Sequence, residues 1–250
     1  MLPSSISSRA DSFIAAGTVG VVYAVDENHV IKVRPRGDFE RHAYEIEVRA
    51  YARLGRHERI VSCEETEEGL QLERGTCLRS MLQSASGPPI LLTTKLRWAQ
   101  EAAEGLAYIH SKGIIHADVG CHNIIVDNAS HVKFIDFAGS GIDGEGPLVC
   151  YEWCSFQPGN EIGVCTDIFA FGSMLFELET GTVPYNELEK TLEMGKLVAT
   201  VERLFSENNF PPVDNLVLGS IISGCWNGKY LSMDGVHQDI ATCRQGRHLY

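Results

Sequence analysis

Lys32, Glu47, Asp118, Asn123 and Asp136 are the residues of this chain best suited to handling a polyanion and a counter-ion, with Gly17 and Gly20 ahead of them. A lysine offers a compact positive charge on a flexible stem. Carboxylate and amide oxygens are the ligands a hard dication prefers. Glycines let a turn of backbone approach a ligand without side-chain obstruction. Taken singly, each has an ordinary reading: a glycine pair between strands is a turn or bulge, a strand lysine lies at the surface, and an Asp or Asn caps or turns the chain. Their significance therefore depends on the elements that position them.

The first 72 residues read as mostly strand. Phe13 to Val25 is apolar and β-branched around the two glycines, Asp26-Glu27-Asn28 makes a turn, and His29-Val30-Ile31-Lys32-Val33 forms the next strand. From Phe39 to Leu54 the period becomes helical, with Ala43, Ile46, Ala50 and Leu54 on one stripe. Ile60 to Cys63 and Gly69 to Leu72 then form a hairpin, which Glu73-Arg74-Gly75 ends. Beyond residue 75 the character is helical. Lys95 to Ser111 places Leu96, Ala99, Ala103, Leu106 and Ile109 on one face, and Lys112-Gly113 supplies the stop. Three short apolar runs follow between Ile114 and Phe137, each with polar residues at an end, as brief strands facing a cleft would have. Asp167 to Leu178 is apolar nearly all round, a buried helix with Thr166 or Asp167 as N-cap and Gly181 beyond its end.

Composition narrows the function. The chain has 250 residues, 44% of them hydrophobic, which is enough for a sizeable core. Its formal charge of −12 argues against a nucleic-acid binder and sets up a field that favours basic partners. No apolar run approaches the roughly 18 residues needed to cross a bilayer, so no membrane role is expected. Met1 to Arg9 lacks the basic leader and apolar block of a secretory signal, so an intracellular, cytoplasmic setting is expected. The eight cysteines include no CxxC pair and read as small buried hydrophobes or free thiols. Cys150, Cys154 and Cys165 do not have the spacing of a closed zinc site.

The ordered set Ala15-Ala16-Gly17-Thr18-Val19-Gly20-Val21-Val22, Val30-Ile31-Lys32, Glu47, His116-Ala117-Asp118-Val119 with Asn123, and Asp136-Phe137-Ala138 resembles the eukaryotic-type protein kinase signature. The resemblance covers essentially the whole chain. Its variants at 116–123 and 136–140 are similar to those of a divergent group of fungal kinase-like proteins. It implies an α+β fold of two lobes within a single domain over 1–250: a small antiparallel sheet with one helix (1–73), a hinge (74–76) and a larger, mainly helical lobe (77–250). It also implies ATP and Mg²⁺, and transfer of the γ-phosphate to a protein hydroxyl, with Ser or Thr preferred to Tyr. Such chemistry is mostly positioning and charge neutralisation.

The roles follow the motif. Ala15, Gly17 and Gly20 would line the phosphate turn, and Lys32 would reach the α- and β-phosphates. At about 100° per residue Glu47 lies roughly 40° from Ala43 on the inward stripe, whereas Glu45 points away, so Glu47 is the expected partner of Lys32. Asp118 would orient the acceptor hydroxyl and take its proton, while Asn123 and Asp136 would hold the metal. Val22, Val30 and Ile125 would wall the adenine, with backbone from Glu73 to Gly75 as its hydrogen-bonding edge. His116 and Phe137 would pack beneath the site.

Several positions depart from the family pattern. Ala15 replaces its first glycine, and Ala117 an arginine that binds a phosphorylated loop, so phospho-activation there is not expected. Gly120 replaces a lysine that steadies the γ-phosphate. Ala138 replaces the glycine after Asp136-Phe137, and Gln157-Pro158-Gly159 lacks the usual acid, as the region around Cys225 to Tyr230 lacks its arginine partner. These departures motivate two alternatives: a pseudokinase serving as an ATP-binding or non-catalytic interaction module, and a kinase fold acting on a small molecule.

Overall fold

A computed structural model describes residues 12–17, 19–85 and 87–247. The readings made above for Met1 to Arg9 and Thr18, and the outer ends of the expected lobes, lie outside these residues. Five strands form one antiparallel sheet: β1 (Phe13–Ala16), β2 (Val21–Ala24), β3 (His29–Val33), β4 (Cys63–Glu65) and β5 (Gly69–Glu73), in the order β1-β2-β3-β5-β4. Directly opposed residues share a face, so Lys32 stands between Val22 and Leu70, with Val30 opposite Leu72 two positions along. That pairing collects Val22, Val30 and Lys32 on one surface.

Gly69 makes this register possible. Its φ is +152°, and a Cβ there would sit 2.1 Å from the Lys32 carbonyl oxygen. Gly69→Ala should therefore lose about 1–3 kcal/mol, lowering the melting temperature of a chain this size by roughly 2–12 °C. A calorimetric melt indistinguishable from the parent would refute this.

Helix α1 (Asp38–Leu54) lies against the sheet. Its first turn carries Asp38 and Glu40, which favour a helix N-terminus, and Gly55 ends it at φ 59° with its N–H on Tyr51 O at 2.9 Å. Ala43, Ile46, Ala50 and Leu54 are buried as the period requires, and Glu47 is buried among them.

After Glu73 the chain enters a second, three-stranded antiparallel sheet, β6 (Thr76–Cys77), β7 (Ile124–Val126) and β8 (Val132–Phe134). The first of the three expected short runs is not a strand. Ile115 instead makes one isolated bridge to Gly141, because its neighbours His116 and Ala117 turn away to meet a buried carboxylate. Helices α2 (Leu78–Leu82), α3 (Leu92–Ser111), α4 (Val164–Thr180), α5 (Asn186–Glu189), α6 (Met194–Ser206), α7 (Gly219–Trp226) and α8 (Met233–Arg247) build the remainder, α3 packing on α8 and α4 on α7.

The expected N-cap of the buried helix is corrected. Helix α4 starts three residues before Asp167, at Val164 after Gly163, and Thr166 accepts the Gly163 N–H at 2.8 Å from inside the first turn. Asp167 is fully buried, and its carboxylate is taken up by the loop at His116 and Ala117. Gly181 closes the helix at φ 82° as expected. Among the described residues no helix is long and apolar enough to cross a membrane.

Candidate active site

Lys32 reaches across from β3 to two carboxylates. Its Nζ lies 2.7 Å from Glu47 Oε2 and donates to Asp136 Oδ1 at 2.8 Å, although the three residues come from a strand, a helix and a loop. Burial alone would discharge both partners of the inner pair. It pushes the fully enclosed Glu47 carboxyl up to about 7, against the pull of Lys32. Burial also acts to lower Lys32, but Glu47 and Asp136 outweigh it and the ammonium is held above its ordinary value. Enclosure would raise Asp136, yet the Lys32 charge dominates and the carboxyl ends below its usual range.

Asn123 and Asp118 form the second group. The Asn123 amide donates to Asp118 O at 2.8 Å and to Asp118 Oδ2 at 2.9 Å. The residue is held in place because its backbone carbonyl accepts the Ile135 N–H at 3.1 Å, one residue before Asp136. Asp136 stands at φ 63° and Ala117 at φ 64°, left-handed conformations that non-glycine residues adopt at a cost of order 1–3 kcal/mol. The Asp167 carboxylate compensates for the second. It accepts the His116 N–H at 2.9 Å, the Ala117 N–H at 3.0 Å and the Tyr151 hydroxyl at 2.8 Å, with His110 Nε2 also at 2.8 Å.

His116 packs against Phe137 with ring centroids 5.1 Å apart, and Phe137 meets Tyr51 of α1 edge-on at 5.1 Å. The expected buried pair thus continues as a column of rings into the helix that carries Glu47.

Of the expected adenine walls, Val22 is half-buried and Val30 and Ile125 are buried, all in or against the main core. A Cβ on Gly75 would lie 2.7 Å from Ile125 Cδ1 and 2.8 Å from Val126 O, so this connection must be glycine to pass so close to β7. The Glu73 side chain does not face a ligand: Lys133 Nζ donates to its two oxygens at 2.7 and 2.8 Å. The Arg74 N–H is taken by Asn28 O. Ala15 is exposed and paired with Val22, and the Gly17 N–H donates to Gly20 O at 2.9 Å, closing the turn between β1 and β2 over open space at Gly17.

One network was not anticipated from the sequence. His122 lies with Nε2 3.2 Å from Asp118 Oδ1 and Nδ1 3.2 Å from Glu152 Oε2. Arg79 of α2 then joins Glu152 to Glu177 of α4, donating to both oxygens of each carboxylate at 2.6–2.9 Å. Burial would lower His122, but the two carboxylates raise it to about 9. Two residues beyond Gly120, the loop thus carries an imidazole whose charged form is favoured by its two carboxylate neighbours. Arg79 extends the network from the loop at Asp118 to the buried Glu177 of α4.

The oxygens present fit Mg²⁺ carried in with a nucleotide. With its NH₂ turned to Asp118, the Asn123 amide leaves Oδ1 on its other side. Asp136 uses Oδ1 for Lys32, and its side chain is about half exposed. No group of three or more His, Cys, Asp or Glu residues among the described ones could hold a metal. Mg²⁺ needs only one or two protein carboxylates when phosphates and water complete its shell.

Comparison with known proteins identifies the family. Residues 70–238 match the family model described as protein tyrosine and serine/threonine kinase, a span that includes Asp118, Asn123 and Asp136 and leaves Lys32 and Glu47 outside it. A probable serine/threonine-protein kinase of Dictyostelium discoideum is 30% identical over 164 residues, covering 61% of this chain and 12% of its own length. A serine/threonine/tyrosine-protein kinase of Arabidopsis thaliana is 26% identical over 160 residues, 60% of this chain and 39% of that protein. A human tyrosine-protein kinase is 26% identical over 172 residues, 64% and 33% respectively. The chain thus spans well under half of each of these relatives. The matched span is more than half of the chain, and the protein belongs to the protein tyrosine and serine/threonine kinase family.

Proposed function

We propose that the chain is a catalytically competent protein kinase, transferring the γ-phosphate of ATP to a protein hydroxyl, Ser or Thr in preference to Tyr. It would act as one domain of two lobes joined at 74–76. The observation that carries this reading is the Lys32 ammonium 2.7 Å from Glu47 and 2.8 Å from Asp136. A lysine oriented by a buried carboxylate is positioned to bind the α- and β-phosphates, and Asp136 and Asn123 to hold the metal at their far side. Bound Mg²⁺ would supply neutralisation of the charge that develops on the phosphoryl oxygens. Asp118, oriented by Asn123, would accept the proton of the acceptor hydroxyl. Val22, Val30 and Ile125 would enclose the base of the nucleotide, with backbone of 73–75 beside it. The acidic surface favours basic substrate segments.

Mg²⁺-ATP at about 100 times Kd should stabilise the intact chain by about 2.7 kcal/mol, a rise of roughly 5–11 °C in melting temperature. Lys32→Met should lose most of that rise and incorporate no radiolabelled phosphate into a panel of basic peptides. A melting shift without incorporation would favour the pseudokinase reading. Incorporation into metabolites but not peptides would favour the small-molecule one.

A further inference from the structure

The loop after Asp136 carries a pair of carboxylates that grip α1 from outside. Ile142 and Glu145 exchange backbone hydrogen bonds at 3.2 and 2.9 Å around Asp143 (φ 59°) and Gly144 (φ 81°), a two-residue turn of the kind Asp-Gly favours. Its base is fixed by two further backbone bonds between Ile115 and Gly141, at 2.9 and 3.0 Å. Glu145 then accepts a bidentate pair from Arg49, 2.9 Å to Oε1 and 3.1 Å to Oε2, while His42 Nε2 lies 3.9 Å away. Asp143 pairs with Arg53 and lies 3.6 Å from Arg49. On a helix at about 100° per residue, His42, Arg49 and Arg53 fall within roughly 40° of one another and some 200–240° round from Glu47. The helix is held by Lys32 on one side and by this turn on the other.

No accessible hydroxyl is available in this loop for a phosphate to take over that role. Between Phe137 and Ser155 the Ser, Thr and Tyr residues are Ser140, Tyr151 and Ser155, at 0%, 4% and 4% exposure. Isolated surface ion pairs contribute little, but a bidentate arginine, here Arg49, within a network of several charges is the exception.

We propose that Asp143 and Glu145 are a built-in latch, and that Arg49 and Arg53 are positioning residues that hold Glu47 against Lys32 through it. This rests on the kinase reading above. The test uses the full chain in three forms: parent, R49E/R53E, and the charge-reversed R49E/R53E/D143R/E145R. Peptide phosphorylation and hydrogen exchange of the α1 amides are measured on each. R49E/R53E should lower kcat roughly 5- to 30-fold with the peptide KM little changed, and α1 exchange should quicken at least 5-fold while α4 exchange stays at the parent rate. The four-fold variant should recover both, and phosphatase treatment should leave the parent's activity unchanged. Unaltered α1 exchange in R49E/R53E, no recovery on charge reversal, or loss of parent activity after phosphatase would each overturn the latch. If the parent transfers no phosphate, the activity reading falls and α1 exchange alone decides the latch.

Discussion

Asp118→Asn should lower kcat for peptide phosphorylation by about 10²- to 10⁴-fold, the range expected when a positioned proton acceptor is lost. That corresponds to roughly 3–5 kcal/mol of barrier. The side chain remains the same size, and the bond from Asn123 to the Asp118 backbone oxygen is untouched, so the loop should keep its shape. The Mg²⁺-ATP melting shift should therefore survive in Asp118→Asn, in contrast to Lys32→Met. The pairing of outcomes matters because His122 also faces Asp118: losing that carboxylate leaves the imidazole with Glu152, 3.2 Å from its other nitrogen. If Asp118 served only to anchor His122, the substitution would lower the melting temperature and spare kcat. Phosphate incorporation at the parent rate in Asp118→Asn would remove Asp118 as the base.

The sequence carried more of the site than of its supports. The strand His29–Val33 and the inward stripe of α1 were readable from β-branched composition and helical period, while the pairing of Lys32 with a carboxylate of that helix came from the resemblance. The choice of Glu47 over Glu45 needed only the helical angle, and Glu47 is the carboxylate that meets Lys32. Contacts between residues distant in sequence left no such trace. Arg79 and Glu152 are 73 positions apart, Arg79 and Glu177 98, and Arg49 and Glu145 96. Nothing in local period or spacing distinguishes these residues from a solvated charged face. His122 was visible as a loop residue, but its importance comes from Glu152 on a different segment. The misplaced N-cap has the same origin. An aspartate at the head of an apolar run suits a cap, and only the folded loop at His116 and Ala117 shows that its carboxylate is used elsewhere.

Asp167→Ala should destabilise the fold more than Gly69→Ala does, by about 3–5 kcal/mol, or roughly 6–20 °C of melting temperature for a chain of this length. The carboxylate is wholly buried and receives donors from three separate places: the backbone at His116 and Ala117, His110 of α3, and Tyr151 of the loop before α4. Removing it leaves two buried N–H groups without an acceptor, each worth about 1–3 kcal/mol, while Tyr151 retains only its 2.9 Å contact with Thr166. The functional loss should exceed what unfolding explains. Ala117 keeps its left-handed backbone because Asp167 accepts its N–H, and when that acceptor goes, relaxation of Ala117 rotates Asp118, the next residue. Measured well below the melting transition, Asp167→Ala should therefore retain the Mg²⁺-ATP shift yet lose at least 10-fold in kcat. Asp167→Asn, which keeps one acceptor oxygen, should fall between it and the parent in both respects. A melting temperature within 2 °C of the parent for Asp167→Ala would mean that the strained loop is held by its own packing, and that this buried carboxylate does not shape the site.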